Sequence, residues 1–245
     1  MKESIYTIPV NEVFEESAEK KDLCPFCRLY KRLQDNELDL ILGASMMDPD
    51  IRIKTNKMGF CSKHFSDMLK RGNRLSLGLI LESHVNEIYK DMDGGDFLKF
   101  PGSSAIKRIN ALESDCYICS RIEDSFKKMV ETAVLLWREE PEFRTKFKNQ
   151  PHFCLPHFAM YAEEAKNRLD KKTYPLFYKE LKEITFNYLE ELSGDVSWFC
   201  KKFDYRYSEE PWGNSKDAIE RAIKILCSDS EYEEDKKKKS AGGLS

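Results

Sequence analysis

The residues most able to do chemistry in this chain form a metal-ligand signature that occurs twice. In each copy a CxxC pair is followed by a CxxH pair, with 33 residues between the pairs in the first copy and 34 in the second. The members are Cys24, Cys27, Cys61 and His64 in the first copy, and Cys116, Cys119, Cys154 and His157 in the second. Three thiolates and one imidazole complete the tetrahedral shell that zinc prefers in structural sites. The repeated spacing therefore predicts two bound metal ions, with zinc as the first choice.

The simplest assignment of these ligands places one ion in each copy. A CxxC turn presents two sulfurs on one side of a tight loop, and a CxxH at a helix start presents sulfur and nitrogen one turn apart. The ligands of the first copy would then form one Cys3His site, and those of the second copy would form the other. An arrangement across the copies, with four cysteines at one site, is the alternative and needs the copies to interleave.

The chemistry of the ligands leaves two alternatives to zinc. An iron–sulfur cluster is the second choice, because thiolates also suit iron. A disulfide framework is disfavoured, because cytosolic thiols are kept reduced and because disulfides do not require a histidine at a repeated position.

The remaining histidines and cysteines are predicted to have packing roles. His84 lies on the apolar stripe of a predicted helix, where a hydrogen-bonded core histidine is the usual explanation. His152 is predicted to be an ordinary loop histidine, and the alternatives are a fallback ligand or a residue that hydrogen-bonds to a ligand. Cys200 falls on the stripe of a long predicted helix and Cys227 ends the last one, so both are predicted to be small core residues.

Helical periodicity surrounds both copies of the motif. Each copy predicts a CxxC turn, a helix, an acidic-proline corner, a basic loop and a CxxH that opens a second helix. The low content of glycine and proline, at 11 and 9 residues, also favours helices. We therefore predict a mostly α fold in which two metal-centred helical repeats pack together, followed by a C-terminal helical extension.

The predicted organisation has five parts. They are an N-terminal helical repeat with the first Cys3His site (1–97), a connection (98–114), a second helical repeat with the second site (115–172), a C-terminal helical extension (173–227) and a disordered tail (228–245). Glycine and serine mark the connection, and charged, simple sequence marks the tail. The aromatic segment from Trp198 to Trp212 is expected to seal the last helix onto the core, with a binding surface as the alternative.

Length, composition and charge limit the function classes. The chain has 245 residues, of which 34% are charged and 41% are hydrophobic, and its formal net charge is −3. No apolar run approaches the roughly 18 residues that cross a membrane. The N-terminal residues also lack the pattern of a signal peptide. We expect a cytoplasmic protein without a membrane partner, and the net charge gives no indication of nucleic acid.

Each copy carries a basic loop before its CxxH. The basic residues are Arg52, Lys54, Lys57, Arg144, Lys146 and Lys148. As functional residues they would contact nucleic-acid phosphates or another anion near a helix start. As solvated loop residues they would offset the negative charge of a three-thiolate site, and this simpler interpretation is favoured.

No catalytic signature accompanies the metal motifs. The sequence lacks HExxH, P-loop, GxGxxG and GxSxG motifs, and it lacks the His-x-Glu of zinc deaminases. A closed four-ligand shell also leaves no position for water or substrate. The prediction is a zinc-binding interaction or adaptor module without catalytic residues, whose partner is a protein. A nucleic-acid-binding protein and a metal- or thiol-dependent enzyme or redox sensor are the alternatives.

Several motifs together resemble those of an uncharacterised family. They are Cys24-Pro25-Phe26-Cys27, Gly59-Phe60-Cys61 with His64-Phe65, Cys154-Leu155-Pro156-His157-Phe158, Phe203-Asp204-Tyr205-Arg206 and Pro211-Trp212-Gly213. The chain resembles a bacterial domain-of-unknown-function family, mostly from anaerobic Gram-positive species, over nearly its whole length to about Cys227. The resemblance implies a cytoplasmic bacterial protein with paired Cys/His motifs, and it implies no activity.

Overall fold

The structure, a computed structural model, describes residues 5–93 and 102–228 and contains only helices, turns and loops within them. The predicted mostly α fold is therefore confirmed for the described residues. The predicted disordered tail lies outside them, apart from Ser228. The helices are α1 (Thr7–Lys20), α2 (Pro25–Leu42), α3 (Pro49–Met58), α4 (Ser62–Lys70), α5 (Arg74–Asp93), α6 (Ser103–Ser114), α7 (Tyr117–Glu139), α8 (Pro141–Lys148), α9 (Leu155–Arg168), α10 (Tyr174–Lys201) and α11 (Ala218–Cys227), with short 3-10 helices at Ala44–Met47, Tyr205–Tyr207 and Gly213–Asp217.

The chain forms two compact units that do not follow one another along the sequence. Unit 1 comprises Met1–Lys31 and Lys127–Ser245, and unit 2 comprises Arg32–Phe126. Helix α2 therefore begins in unit 1 and continues into unit 2, whereas α7 begins in unit 2 and continues into unit 1. Of the segment predicted as a connection, 98–114, the structure describes residues 102–114, which belong to unit 2 and contain α6.

Unit 1 is built around an aromatic core. The fully buried rings come from α1, α2, α8, α9 and α10 and from the loop before α9, and they are Phe14, Phe26, Phe143, Phe147, Phe153, Tyr161 and Phe177. Phe26 and Tyr161 meet edge-to-face with their centroids 4.7 Å apart, and Trp137 meets Phe177 in the same way at 5.0 Å. Such pairs add about 0.5–1.5 kcal/mol each beyond the burial of their area. This core surrounds the start of α2 and the start of α9.

Unit 2 has a mainly aliphatic core. Its buried side chains come from the second part of α2, from α4 and α5, and from the start of α7, and they include Leu38, Ile41, Met68, Ile80, Ile118 and Ile122. Phe60, in the loop before α4, is also buried and packs edge-to-face on Phe65 at 5.4 Å. The loop that leads into the first CxxH is thereby anchored to α4.

The two acidic-proline corners start helices, and this places the basic residues differently from the prediction. The Asp48 carboxylate accepts hydrogen bonds from the backbone N–H groups of Asp50 and Ile51, at 2.8 and 3.2 Å, and so caps α3. Proline at the first helical position favours the helix further, because its φ angle already suits it. Pro141 starts α8 in the same way. The predicted basic loops are therefore wrong, since both basic clusters lie on helices.

The C-terminal extension is a 28-residue helix, α10, with α11 packed beside it. A small buried cluster of Leu192, Ala218 and Ile225 joins the two helices. The loop between them is tied to the end of α10 by Lys202, whose ammonium donates to the backbone carbonyls of residues 207, 208 and 210 at 2.5–2.8 Å. None of the described helices is both long enough and apolar enough to cross a membrane.

Candidate metal centres

The first candidate centre, which we call cluster A, lies in unit 1 and consists of Cys24, Cys27, Cys154 and His157. The Nδ1 atom of His157 lies 3.7, 3.4 and 3.1 Å from the sulfurs of Cys24, Cys27 and Cys154. The sulfurs of Cys27 and Cys154 are 3.7 Å apart. All three cysteines are buried, and His157 is partly exposed.

The second candidate centre, cluster B, lies in unit 2 and consists of Cys61, His64, Cys116 and Cys119. The Nδ1 atom of His64 lies 3.3, 3.3 and 3.4 Å from the sulfurs of Cys61, Cys116 and Cys119. The sulfurs of Cys61 and Cys119 are 3.9 Å apart. His64 and Cys116 are buried, whereas Cys61 and Cys119 are partly exposed.

The eight predicted ligands thus come together in two groups, but the predicted pairing within each copy is wrong. Each group combines the CxxC of one copy with the CxxH of the other. The ligands of the two copies do combine with one another, but they form two Cys3His groups rather than one site of four cysteines. The cause is the path of α2 and α7, since each of these helices starts at a CxxC in one unit and continues into the other.

All four motifs place their first cysteine at the start of a helix. The backbone carbonyls of Cys24, Cys61, Cys116 and Cys154 each accept the first helical hydrogen bond, at 2.7–3.1 Å, from the N–H group four residues later. Each following ligand is then one turn along the same helix. The partial positive charge at a helix N-terminus favours thiolate over thiol. The local fold of each motif therefore prepares its cysteines for metal binding.

The spacing of the donor atoms fits one tetrahedral ion in each cluster. With bonds of about 2.3 Å to sulfur and about 2.0–2.1 Å to nitrogen, a tetrahedral zinc shell separates two sulfurs by about 3.8 Å and sulfur from nitrogen by about 3.6 Å. The observed separations are 3.7–3.9 Å between sulfurs and 3.1–3.7 Å between sulfur and nitrogen. A disulfide needs about 2.05 Å between sulfurs, and all eight cysteines are free thiols. The residues present therefore suit a metal ion.

The electrostatics of cluster A oppose more than one thiolate when no cation is present. Burial disfavours the Cys24 thiolate, but hydrogen bonds from Cys154, Cys27 and His157 outweigh it and hold the pKa of Cys24 well below its ordinary value. The pKa of Cys27 is raised by its hydrogen bonds with Cys154 and Cys24, and then by burial. Hydrogen bonding to Cys24 raises the pKa of Cys154 in the same way. A bound cation would have to displace the protons of the other two thiols, so binding should depend strongly on pH.

Cluster B has a neutral imidazole and one strongly protonated thiol. Burial lowers the pKa of His64, which favours the neutral form that a metal requires. Burial and the neighbouring Cys116 and Cys61 raise the pKa of Cys119 to about 12. The Nε2 atom of His64 is buried and has no hydrogen-bond partner in the described part of the chain.

Gly59 connects the two halves of cluster B, and the sequence motifs did not single it out for this role. Its carbonyl accepts a hydrogen bond of 3.0 Å from the N–H of Tyr117, which follows Cys116. Its φ angle is +67°, and a Cβ atom there would lie 3.0 Å from Leu112 and 3.2 Å from the His84 ring. Only glycine meets both demands without strain. The available signal was the position of this glycine two residues before Cys61.

The other histidines and cysteines give mixed outcomes. His84 is a buried histidine whose Nδ1 atom lies 3.2 Å from the carbonyl of Asn56, so the predicted packing role is confirmed. His152 belongs to neither cluster and stacks on Tyr188 with the ring centroids 4.3 Å apart. Cys200 and Cys227 are exposed, so their predicted place in the core is wrong. The apolar stripes of α10 and α11 pack together through neighbouring positions.

The basic residues proposed as anion contacts are largely engaged within the protein. Arg144 and Lys148 both pair with Glu180, and Arg144 also lies over the Trp137 ring. In the same way Lys146 pairs with Glu15, and Arg52 donates to the carbonyl of Leu79 at 2.6 Å. Lys54 and Lys57 are exposed. Four of the six residues are therefore neither in loops nor free of protein partners, and an anion contact by any of the six stays a prediction.

Comparison with protein-family models gives one assignment. A model described as a family of unknown function (DUF6062) matches residues 1–233. The chain belongs to this family. Neither curated proteins nor solved structures give a match. The resemblance drawn from the motifs is therefore confirmed at the level of a family without an assigned activity, and bacterial origin stays a prediction.

Proposed function

We propose that this chain is a zinc-binding protein in which two mononuclear Cys3His centres stabilise the folded structure, and that it serves as an interaction or adaptor module. The observation that carries the proposal is the pair of ligand sets with tetrahedral spacing, one in each compact unit. Zinc is favoured because it prefers four-coordinate shells of thiolate and imidazole. Four protein ligands fill such a shell, which supports a structural rather than a catalytic ion.

The geometry supports a single ion over an iron–sulfur cluster. In a cluster the protein ligands are distributed over different iron atoms and stand around a core of iron and sulfide. The ligand atoms here all lie within 4.8 Å of one another in each set. That spacing suits one shared ion, so the remaining competitor to zinc is a single iron.

The test is the metal content of protein purified without added metal and without oxygen. Elemental analysis should give two zinc per chain, and the visible absorption spectrum should show no bands. One or two iron per chain, with visible thiolate-to-iron absorption, would replace zinc by iron and keep the sites. Protein that is folded but binds no metal would refute the proposal.

The adaptor part of the proposal is supported by aromatic side chains on the C-terminal extension. Phe203 and Tyr205 are 76% and 86% exposed, while Trp198, Tyr207 and Trp212 beside them are partly buried. Exposed aromatic residues are over-represented among side chains that anchor protein partners. In a reducing cytoplasm, where we expect this protein, metal-bound thiolates would also persist.

This part is tested by affinity capture with the full chain and a Phe203→Ser/Tyr205→Ser variant, both loaded with zinc. A defined protein recovered with the first and lost with the second would support the adaptor role. A matched Ile8→Ser variant serves as control, because Ile8 is an exposed apolar residue of α1 with 69% exposure. Equal recovery with all three proteins would contradict a role for the aromatic pair.

A further inference from the structure

Clusters A and B have the same donor set and nearly the same dimensions, but they differ in the exposure of their cysteine residues. In cluster A the cysteines are only 1–6% exposed, although a cavity of about 440 Å³ borders them. In cluster B two of the three cysteines, Cys61 and Cys119, are partly exposed. The distance between those two sulfurs, 3.9 Å, is close to the 3.7 Å between Cys27 and Cys154 in cluster A.

Among the residues that the structure describes, the histidine of cluster B has no second hydrogen bond that would support it. A metal-binding histidine usually donates its second ring N–H to a carboxylate, a carbonyl or water, and removal of such a partner typically lowers metal affinity about 10- to 100-fold. The Nε2 atom of His64 is buried, and no side chain or backbone group of residues 5–93 and 102–228 bonds to it. The imidazole of cluster B is therefore held by packing, and its ion should be bound less tightly than a fully supported one.

We propose that cluster B is an oxidant-responsive centre, in which a hydroperoxide converts the Cys61 and Cys119 thiolates to a disulfide and the metal ion is released, while cluster A keeps its ion. This inference rests on the proposed function, because it requires thiolates that are held deprotonated by a metal. It assigns to the two partly exposed cysteines a modification that their buried counterparts do not share. Susceptibility of cysteines to oxidation follows thiolate character and exposure.

The reaction balances with a hydroperoxide as the only added reactant. The sulfur of one thiolate attacks the peroxide, so an S–O bond forms, the O–O bond breaks, and hydroxide or alkoxide leaves with the electron pair. The second thiolate then attacks the resulting sulfenic acid, so the S–S bond forms and hydroxide leaves. The two cysteines lose two electrons and the peroxide gains them. His64 and Cys116 remain as two ligands, which are too few to retain the ion.

The experiment uses the full chain in a Cys200→Ser/Cys227→Ser background, which removes the two exposed thiols outside the clusters. Zinc-loaded protein is treated with hydrogen peroxide, zinc release is followed with a chromogenic chelator, and disulfides are mapped by peptide mass spectrometry. We expect the loss of one zinc per chain before release of the second begins. The linked peptide should join Cys61 to Cys119, and a thiol reductant with added zinc should restore two ions.

Cluster A is the matched internal control, because the sulfurs of Cys27 and Cys154 are as close together but belong to buried residues. Release of both ions at one rate, or a Cys27–Cys154 disulfide that forms first, would overturn the inference. So would retention of both ions at peroxide concentrations that oxidise Cys200 and Cys227 in the unsubstituted chain. Metal content before oxidation tests the proposed function separately, so a protein that holds two zinc ions and loses them together refutes only this inference.

Discussion

The exchange of ligands between the two motif copies can be tested by counting ions in double variants. Cys24 and Cys154 belong to cluster A, whereas Cys61 belongs to cluster B. A Cys24→Ser/Cys154→Ser protein should therefore lose one ion and keep the other. A Cys24→Ser/Cys61→Ser protein damages both clusters and should keep none. Pairing within each copy reverses these two results, because Cys24 and Cys61 would then share a site.

The size of the effect follows from the binding energy of a structural zinc. Such ions contribute about 10–16 kcal/mol of apparent free energy near neutral pH, which is as large as the whole stability of a typical domain, about 5–15 kcal/mol. Loss of one of three thiolates should therefore unfold much of the affected unit. A second substitution in the same cluster should add little, whereas substitutions in different clusters should add their effects.

The assay is native mass spectrometry of the soluble fraction, with melting followed by circular dichroism. The unsubstituted chain should carry two ions, and the single Cys24→Ser variant should carry one. A Cys200→Ser/Cys227→Ser protein controls for the number of thiols, because it removes two exposed cysteines and should keep both ions. The reasoning is refuted if Cys24→Ser/Cys154→Ser carries no ion while Cys24→Ser/Cys61→Ser retains one.

Three further perturbations test the surroundings of the clusters. Gly59→Ala should lower the free energy of unfolding by more than about 1 kcal/mol and weaken zinc retention. Gly72→Ala is the control, because Gly72 has φ +79° but open space around it. In a urea melt this variant should show the effect of backbone strain alone. Lys202→Met should lower the free energy of unfolding by about 1–3 kcal/mol, because the three loop carbonyls lose their donor. Lys201→Met is the control in the same urea melts, since the side chain of Lys201 is exposed. Burial lowers the pKa of His84 in the folded chain. As the pH falls below about 6.5, the unfolded chain therefore takes up a proton first and the folded state loses up to about 1.4 kcal/mol of stability per pH unit, whereas above about 6.5 this contribution is constant. Melts at pH 5.5–7.5 should show a weaker dependence of stability on pH for His84→Gln than for the unsubstituted chain.

The sequence was sufficient to find the residues that form the clusters but not to pair them. Spacing and residue type selected Cys24 and His64, and the structure places each in a group of four potential ligands. The two CxxC halves are chemically equivalent, and so are the two CxxH halves, so local chemistry cannot decide which halves meet. The pairing follows the paths of α2 and α7, which each begin in one compact unit and continue into the other, and no periodicity within a copy encodes these paths.

The wrong predictions for the basic residues and the exposed cysteines have local causes. An acidic residue followed by proline predicts a corner at Pro49 and Pro141, but proline also suits the first turn of a helix, and Asp48 supplies the cap for α3. Cys200 lies next to the apolar stripe of α10 rather than on its buried side. A shift of one position around a helix is about 100°, which is enough to move a side chain from the core to solvent.

The pairing across the copies matters more for cooperativity than for the entropy of loop closure. In cluster A the ligands Cys24 and His157 are 133 residues apart, whereas pairing within a copy would have joined residues about 40 apart. The logarithmic dependence of closure entropy on length makes that difference worth only about 1 kcal/mol, which is small beside the binding energy of the ion.

The larger consequence is that neither copy of the motif can complete a centre alone. A chain that ended after the first copy would hold half of each cluster, with Cys24 and Cys27 for cluster A and Cys61 and His64 for cluster B. The ligands of cluster B are all present once Cys119 has been synthesised, but those of cluster A are not complete until His157. The ion of cluster B can therefore bind first, and the ion of cluster A then joins the two segments of unit 1. An exchange of halves between the copies thus makes each metal centre depend on both.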